Sequence, residues 1–152
     1  MYIDKKNMRY SILLLISLFQ FSFAQNSLER LENSPRHHEW VKITTNTNEI
    51  NSFLVYPEVS EKVPVVVLIH ENRGLNDWAR SMADQIAEMG YIAIAPDFLS
   101  GTAPNGGGTI DYENSDDART GIYNLDPAVI NDILNKTVDY SKKIASSNGK
   151  VV

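Results

Sequence analysis

The residues best suited to chemistry lie in one polar loop, residues 70–74 (HENRG), which directly follows the aliphatic run of residues 65–69. An unbroken aliphatic run is typical of a strand buried on both faces of a parallel sheet. Open α/β sheets place their sites at the carboxyl ends of such strands. Glu71 is the candidate acid–base group, because a carboxylate at a desolvated strand end can accept a proton. A structural ion pair of Glu71 with Arg73 or Arg80 is the alternative.

Other patterns that could carry chemistry are weaker. The pair His70-Glu71 begins like the zinc-binding motif H-E-x-x-H, but the second histidine is missing, so a loop histidine with satisfied hydrogen bonds is expected. Residues 37–38 (HH) have no ligand partner at metal spacing. The glycine-rich residues 98–108 lack the lysine of a phosphate-binding loop and predict a mobile surface loop. The acidic residues 111–117 predict a solvated turn. No metal or cofactor is therefore expected.

Composition excludes several classes of function. The chain has 152 residues, 14 Lys and Arg against 19 Asp and Glu, and no cysteine. Its acidic balance and lack of a basic tract argue against nucleic-acid binding, which needs clustered positive charge. Without cysteine there is no disulfide, no thiolate metal site and no cysteine nucleophile in these residues. The length allows one domain.

The first 24 residues are predicted to be a secretory signal peptide. A basic region, residues 4–9, precedes the apolar stretch of residues 11–24, and small residues, Ser22 and Ala24, lie at the -3 and -1 positions of a cleavage site. The apolar stretch is shorter than the about 20 residues that span a bilayer. An uncleaved membrane anchor is the alternative. We expect a periplasmic or extracellular protein that keeps no stable membrane anchor after cleavage.

The elements that position the polar loop form one βαβ unit, residues 63–97. Asn76 can cap the helix, because its side-chain oxygen can accept from free backbone N–H groups. Gly90 supplies the left-handed residue that ends the helix, and residues 91–95 form the next strand. A stripe at helical spacing is expected to face the sheet; its members are Trp78, Ala79, Met82, Ala83, Ile86 and Ala87.

The flanking segments extend this unit. Residues 25–38 are polar and are interpreted as a linker or a surface helix. Residues 39–45 and 51–56 alternate in polarity and predict an antiparallel hairpin. An Asp-Pro pair at 126–127 predicts a helix start, and residues 150–152 begin another aliphatic strand. The predicted order is typical of the opening of an α/β-hydrolase sheet.

These residues resemble the dienelactone hydrolase family of α/β-hydrolases. The family pattern is a buried strand, a loop x-E-x-x-G, a helix and the motif G-Y-x-A-x-x-P-D. The matching positions are Glu71, Gly74, Gly90, Tyr91, Ala93, Pro96 and Asp97. The resemblance runs from about Trp40 to the last residue. It implies an incomplete α/β-hydrolase fold over residues 39–152, containing the amino-terminal strands and helices up to the start of the nucleophile-bearing strand.

The resemblance also implies a function, hydrolysis of a small-molecule ester or lactone. In α/β-hydrolases one oxyanion-hole N–H comes from the loop after the third strand, and the backbone N–H of Asn72 is the candidate. The family's loop glutamate takes part in activating the nucleophile, which would be the role of Glu71. Neither G-x-S-x-G nor cysteine is present. The nucleophile, the acid and the histidine are therefore expected beyond Val152, and the chain as given is expected to be inactive.

One departure from the family bears on the substrate. The best-known members of the family carry an arginine shortly after the P-D pair that helps to hold a substrate carboxylate, whereas residues 98–101 here read FLSG. A broader ester or lactone hydrolase is therefore expected. The alternative is a non-catalytic binding domain, or inactive remnant, that kept the sheet and lost the catalytic triad. A nucleophile-bearing turn after Val152 would favour the enzyme.

We predict cleavage between Ala24 and Gln25 during export, because small residues precede that bond and the apolar stretch before it is short. Amino-terminal sequencing or the intact mass of the exported protein measures the position of the cut. A cytoplasmic protein that still begins at Met1 would contradict the signal-peptide interpretation.

Overall fold

The computed structural model describes residues 27–152. The predicted signal peptide, residues 1–24, therefore lies outside the described residues. Within the described part of the chain, no helix is both long and apolar enough to cross a membrane.

The described residues form a mixed five-stranded sheet with helices on both faces. The elements in chain order are α1 (Ser27–Glu32), β1 (His38–Thr44), β2 (Glu49–Val55), β3 (Val63–Val67), α2 (Asp77–Glu88), β4 (Ile92–Pro96), a 3₁₀ turn (Thr109–Asp111), α3 (Ser115–Tyr123), α4 (Pro127–Ser141) and β5 (Ser147–Val151). The strands lie in the order β1-β2-β4-β3-β5. The pairs β1–β2 and β2–β4 are antiparallel, and β3 is parallel to both β4 and β5. The predicted hairpin and βαβ unit are confirmed.

Two apolar layers hold the helices on the sheet. On one face α1 and α2 pack through Leu31, Ala79, Ala83 and Ala87 onto Phe53, Val55, Ala93 and Ala95. On the other face Tyr140 and Ile144, in and just after α4, pack against Ile43, Leu54, Val65, Ile92 and Ile94. Because alternate strand residues point to opposite faces, β4 contributes Ala93 and Ala95 to one layer and Ile92 and Ile94 to the other. Because helices cover both faces of the sheet, β4 is buried along its whole length.

The helix α2 begins and ends as predicted, but its buried residues differ from the predicted stripe and include Ser81 and Asp84. The Asn76 side chain accepts a hydrogen bond from the Ala79 N–H at 3.0 Å, and Gly90 has a φ of 92°. The buried residues include the three alanines of the stripe, whereas Trp78 is 50% exposed. Small side chains let the helix approach the sheet closely. The prediction that Trp78 faces the sheet is therefore wrong.

The strand β3 also differs from its prediction. It runs from Val63 to Val67 instead of residues 65–69, and Ile69 is 59% exposed. The last ladder bonds run from the Val67 N–H to the Val152 carbonyl and from the Leu68 N–H to the Ile94 carbonyl. Ile69 lies beyond these bonds, so the aliphatic run continues past the strand and is not buried on both faces.

The acidic segment 111–117, predicted to be a solvated turn, instead contains the start of α3. The Asn114 side chain accepts hydrogen bonds from the N–H groups of Asp116 and Asp117 at 3.0 and 2.9 Å. Both aspartates lie in the first turn, where negative charge is stabilised by the helix dipole. The acidic run is thus a capped helix start.

The glycine-rich residues 98–108, predicted to be a mobile surface loop, are only partly on the surface: residues 98–100 are buried, whereas residues 101, 102 and 104–106 are exposed. Leu99 and Ser100 are buried, and the Ser100 hydroxyl accepts from the Asn51 N–H at 3.0 Å. The N–H of Gly101 donates to the Gly107 carbonyl at 2.8 Å and closes the loop on itself. Polar bonds to β2 and a short internal ladder fix this segment.

The second half of the described chain follows the expected order. The Asp126 side chain caps α4 by accepting from the Ala128 N–H at 2.8 Å, as predicted. The strand β5 begins at Ser147, three residues before the predicted residue 150. It pairs with β3 through an irregular register between Val63 and Val65. The early start was missed because its first residues are polar and resemble a turn.

The segment interpreted as a linker or a surface helix contains α1 and is fastened to α2 by one buried carboxylate. The Asp84 side chain is 0% exposed and accepts two hydrogen bonds from Arg36, at 2.9 and 2.7 Å. It also bonds His38 at 2.9 Å and the Ser34 hydroxyl, and Arg30 Nε lies 3.3 Å away. Burial raises the pKa of Asp84, but the bonds from Arg36, Ser34 and His38 outweigh burial and hold that pKa well below its usual value.

We predict that Asp84→Asn lowers the free energy of unfolding by about 3 to 5 kcal/mol, because it leaves Arg36 buried beside a neutral partner. Urea denaturation followed by circular dichroism measures the change. Asp139→Asn is the matched control, since Asp139 pairs with Lys142 on the surface and should change stability by about 1 kcal/mol or less. Equal losses in the two variants would show that the Asp84 cluster is not a stabilising tether.

Candidate active site

Two loops meet at the carboxyl edge of the parallel strands, the site loop (residues 70–74) after β3 and the segment 97–109 after β4. The carboxylate of Asp97 joins them. It is buried and accepts from the Leu99 N–H at 3.0 Å, the Thr109 N–H at 2.8 Å and the Thr109 hydroxyl at 2.6 Å. Because a buried carboxylate needs hydrogen-bond donors, Asp97 fixes the path of the chain around it.

The Thr109 hydroxyl extends this network into the chain that follows the site loop. Its oxygen accepts from the Leu75 N–H at 2.9 Å while its proton goes to Asp97. Gly74 packs against the same side chain: a Cβ at this position would lie 2.2 Å from Thr109 Oγ1, and the φ of Gly74 is 73°. Only glycine fits both conditions. Thr109 therefore joins the glycine of the E-x-x-G motif, Gly74, to the aspartate of the P-D motif, Asp97.

His70 forms a second link between the two loops. Its ring is 6% exposed, with Nδ1 2.9 Å from the Glu71 carbonyl and Nε2 3.2 Å from the Phe98 N–H. The carbonyl can only accept and the amide can only donate, so the ring is the neutral tautomer with its proton on Nδ1. Burial lowers the pKa of His70. The expected loop histidine with satisfied hydrogen bonds is confirmed.

The polar residues of the site loop are exposed above this network. Glu71, Asn72 and Arg73 line a cleft of about 380 Å³ whose further wall includes Trp78. Arg80 pairs with Asp77, and within residues 27–152 no ion pair joins Glu71 to either arginine considered as its partner. The ion pair considered as the alternative for Glu71 is therefore not observed. The Glu71 side chain is exposed, so the expected desolvated carboxylate is wrong.

Asn72 has one free backbone donor and one side-chain contact. Its backbone N–H donates no hydrogen bond within the described part of the chain. Its side-chain Nδ2 lies 3.4 Å from the Tyr123 hydroxyl at the end of α3. Sequence reasoning missed Tyr123, because nothing local indicates that a helix 51 residues further along the chain reaches this loop.

The last strand reaches the same edge of the sheet. The Val152 N–H donates to the Val65 carbonyl at 2.9 Å, and the Val67 N–H donates to the Val152 carbonyl at 2.7 Å. The carboxyl end of β5 therefore lies beside the residues that lead into the site loop.

The other histidines lie away from the site loop. His38 belongs to the Asp84 cluster, and His37 lies 3.6 Å from Glu39 and packs its ring on Tyr56. Across residues 27–152, no group of three or more His, Cys, Asp or Glu side chains is arranged to hold a metal ion.

Comparison with known proteins gives the following matches. Residues 50–152 match the model of the dienelactone hydrolase family. A 53-residue segment is 51% identical to an Escherichia coli (strain K12) protein named as a hydrolase fragment, YghX, and covers 34% of this chain and 45% of that protein. A 64-residue segment is 34% identical to a Synechocystis protein named as a carboxymethylenebutenolidase, and covers 42% of this chain and 26% of that protein.

The fold is also similar to a solved structure. The structure named m3DLH superposes with a TM-score of 0.63 at 25% identity, over 76% of this chain and 47% of that chain. The matched residues thus span less than half the length of each of these three proteins.

We predict that His70 makes the stability of the fold depend on pH. Its folded-state pKa is lowered, so its contribution is fully present above the unfolded pKa of about 6.5 and is lost as the pH falls toward the folded pKa. Urea denaturation at pH 7.5 and pH 5.5 measures the difference, which has an upper limit of about 1.4 kcal/mol per pH unit.

The control variants are His70→Gln, which removes the titrating group, and His37→Gln, which removes an exposed histidine. We expect the loss of stability at the lower pH to shrink in His70→Gln and to persist in His37→Gln. The same pH dependence in the wild-type chain and in His70→Gln would contradict the assignment.

Proposed function

Because the chain belongs to the dienelactone hydrolase family, we propose that its site loop forms the oxyanion-hole side of a hydrolase that cleaves ester or lactone bonds in small molecules. One observation carries the proposal: the exposed residues 71–73 of the site loop present a free backbone N–H and an unpaired carboxylate above a buried, hydrogen-bonded network. The donor and the acceptor belong to adjacent residues, Asn72 and Glu71.

The backbone N–H of Asn72 is assigned to the oxyanion. Donors that are already oriented stabilise the charge that develops on a carbonyl oxygen without reorganising during the reaction. Support for this role comes from the two bonds of His70 and from the bond between Leu75 and Thr109, which hold the backbone on both sides of Asn72. A free N–H on a fixed backbone is what an oxyanion hole requires.

The carboxylate of Glu71 is assigned to activation of the nucleophile. Its side chain lines the cleft, and no partner within residues 27–152 neutralises it. A carboxylate within hydrogen-bond reach of a hydroxyl or thiol can take its proton and raise its nucleophilicity. The two assigned groups would then act on the two sides of the same carbonyl, Glu71 on the attacking group and Asn72 on the oxygen.

The nucleophile itself is assigned to a segment outside the 152 residues. The chain contains no cysteine and no G-x-S-x-G, and it covers 47% of the m3DLH chain. In α/β-hydrolases the nucleophile sits on a sharp turn that follows a sheet strand. The strand β5, whose end lies beside the site loop, is the strand that would lead into it. On this proposal the 152-residue chain alone does not hydrolyse esters.

The proposed substrate class is broader than a carboxylate-bearing lactone. The segment after the P-D pair contains no arginine, and Phe98, Leu99 and Ser100 are buried. Ser100 is committed to bonds with the Asn51 N–H and the Asp97 carbonyl. This segment therefore packs within the fold and presents no cationic side chain that could bind a substrate carboxylate.

We predict that Glu71→Gln, in a protein that carries this chain together with its nucleophile, lowers kcat/KM for ester hydrolysis by about 10²-fold or more. The melting temperature should change little, because the Glu71 side chain is exposed. Steady-state kinetics with a chromogenic ester and thermal denaturation measure both quantities.

The matched control is Glu61→Gln, which removes an exposed glutamate from the loop before β3 and should leave kcat/KM unchanged. Retained activity together with a lower melting temperature in Glu71→Gln would show that Glu71 is a structural residue.

A further inference from the structure

The sequence contains two Asn-Gly pairs, 105–106 and 148–149. In such a pair the backbone nitrogen of glycine can attack the side-chain carbonyl carbon of asparagine. A bond forms between that nitrogen and that carbon, the bond from the carbon to the side-chain nitrogen breaks, and the glycine N–H proton leaves with that nitrogen as ammonia. Water then opens the five-membered succinimide to aspartate or isoaspartate. Glycine favours the reaction, because it has no Cβ to hinder the approach. The reaction needs water and no other reactant.

The two pairs share the same local hydrogen bond and the same glycine conformation. The side-chain oxygen of Asn105 accepts from the Gly107 N–H at 2.9 Å, and that of Asn148 accepts from the Lys150 N–H at 3.0 Å. Each bond is an Asx turn, which folds the carboxamide back along its own backbone. Both glycines have positive φ and open space around the Cβ position. Neither pair is excluded on steric grounds.

The pairs differ in how the attacking nitrogen is held. The Gly106 N–H donates to the Ala103 backbone carbonyl at 2.8 Å, inside a loop that the Gly101 N–H and the Ala103 N–H close onto the Gly107 carbonyl. The Asn105 side-chain nitrogen also lies 3.5 Å from the Asp111 carboxylate. Releasing the Gly106 nitrogen therefore requires opening of the closed loop.

The nitrogen of Gly149 lies in the part of β5 where the register with β3 is irregular, between Ser147 and Val151. Its N–H donates to the Ser147 hydroxyl at 3.0 Å, a bond that a single side-chain rotation breaks. The side-chain nitrogen of Asn148 has no partner within residues 27–152, and both Asn148 and Gly149 are exposed. The Gly149 nitrogen therefore lacks the closed backbone loop that surrounds the Gly106 nitrogen.

We propose that Asn148 is a site of spontaneous deamidation in the folded protein and that Asn105, the other Asn-Gly pair, is protected by its loop. Isoaspartate would add a methylene group to the backbone of β5 between Ser147 and Val151, the residues that pair with β3. Either product adds about one negative charge at neutral pH. The change falls on the strand that lies beside the site loop.

The test is peptide mapping by mass spectrometry of the 152-residue chain incubated at pH 8 and 37 °C, with the conversion at Asn148 and Asn105 followed over time. We expect conversion at Asn148 to be about tenfold faster than at Asn105, the factor that a retained backbone hydrogen bond allows. The variants Asn148→Gln and Asn105→Gln are matched controls. The first should abolish most of the released ammonia, and the second should change it little.

The same incubation in denaturant separates the fold from the local sequence. If the fold protects Asn105, the two sites should convert at similar rates in denaturant. Conversion at Asn105 as fast as at Asn148 in the folded chain would overturn the proposal, and so would no conversion at Asn148 under conditions in which the denatured chain reacts. An equal preference for Asn148 in folded and denatured chains would show that neighbouring residues, and not the loop, set the difference.

Discussion

The buried carboxylate of Asp97 is the constraint on which the geometry of the site depends. A carboxylate without water must be satisfied by protein donors, and here the donors are Leu99 and Thr109. Satisfying Asp97 brings the segment after β4 back over the end of β3. The same network leaves no room for a side chain at two positions. A Cβ on Gly108 would lie 2.4 Å from the Asp97 carboxylate, and a Cβ on Gly74 would collide with Thr109. One charge thus fixes two loops that are far apart in sequence.

A second buried carboxylate, Asp84, also holds segments together that are far apart in the sequence. It fastens the start of β1 and the helix α1 to the outer side of α2 through Arg36 and His38. The alanine face of α2 lies on the sheet, and its amino-terminal cap, Asn76, follows the site loop directly. The helix is therefore held on both sides, and the loop before it starts from a fixed point. The helix α2 therefore contributes both to the stability of the fold and to the fixed position of the site loop.

Patterns with local causes could be predicted from the sequence. The cap at Asn76, the left-handed Gly90, the Asp126 cap and the order of the elements along the chain each follow from neighbouring residues. The exposure of Trp78 and Ile69 could not be predicted, because it depends on where the sheet pairing and the helix packing end. The burial of residues 98–100 depends on Asn51, and the contact of Asn72 with Tyr123 depends on α3. The family resemblance identified Glu71, Gly74 and Asp97 as a set, but only the structure shows that Thr109 joins Gly74 to Asp97.

The central claim is that the Thr109 hydroxyl holds the site loop on the Asp97 carboxylate. Amide hydrogen exchange at Leu75, measured by NMR in the wild-type chain and in Thr109→Val and Thr109→Ser, tests it most directly. Valine keeps the shape and removes both hydroxyl bonds, whereas serine keeps the hydroxyl. The account predicts that the Leu75 amide exchanges about tenfold faster in Thr109→Val and near the wild-type rate in Thr109→Ser. Unchanged exchange at Leu75 in Thr109→Val would contradict the claim that this hydroxyl orders the loop.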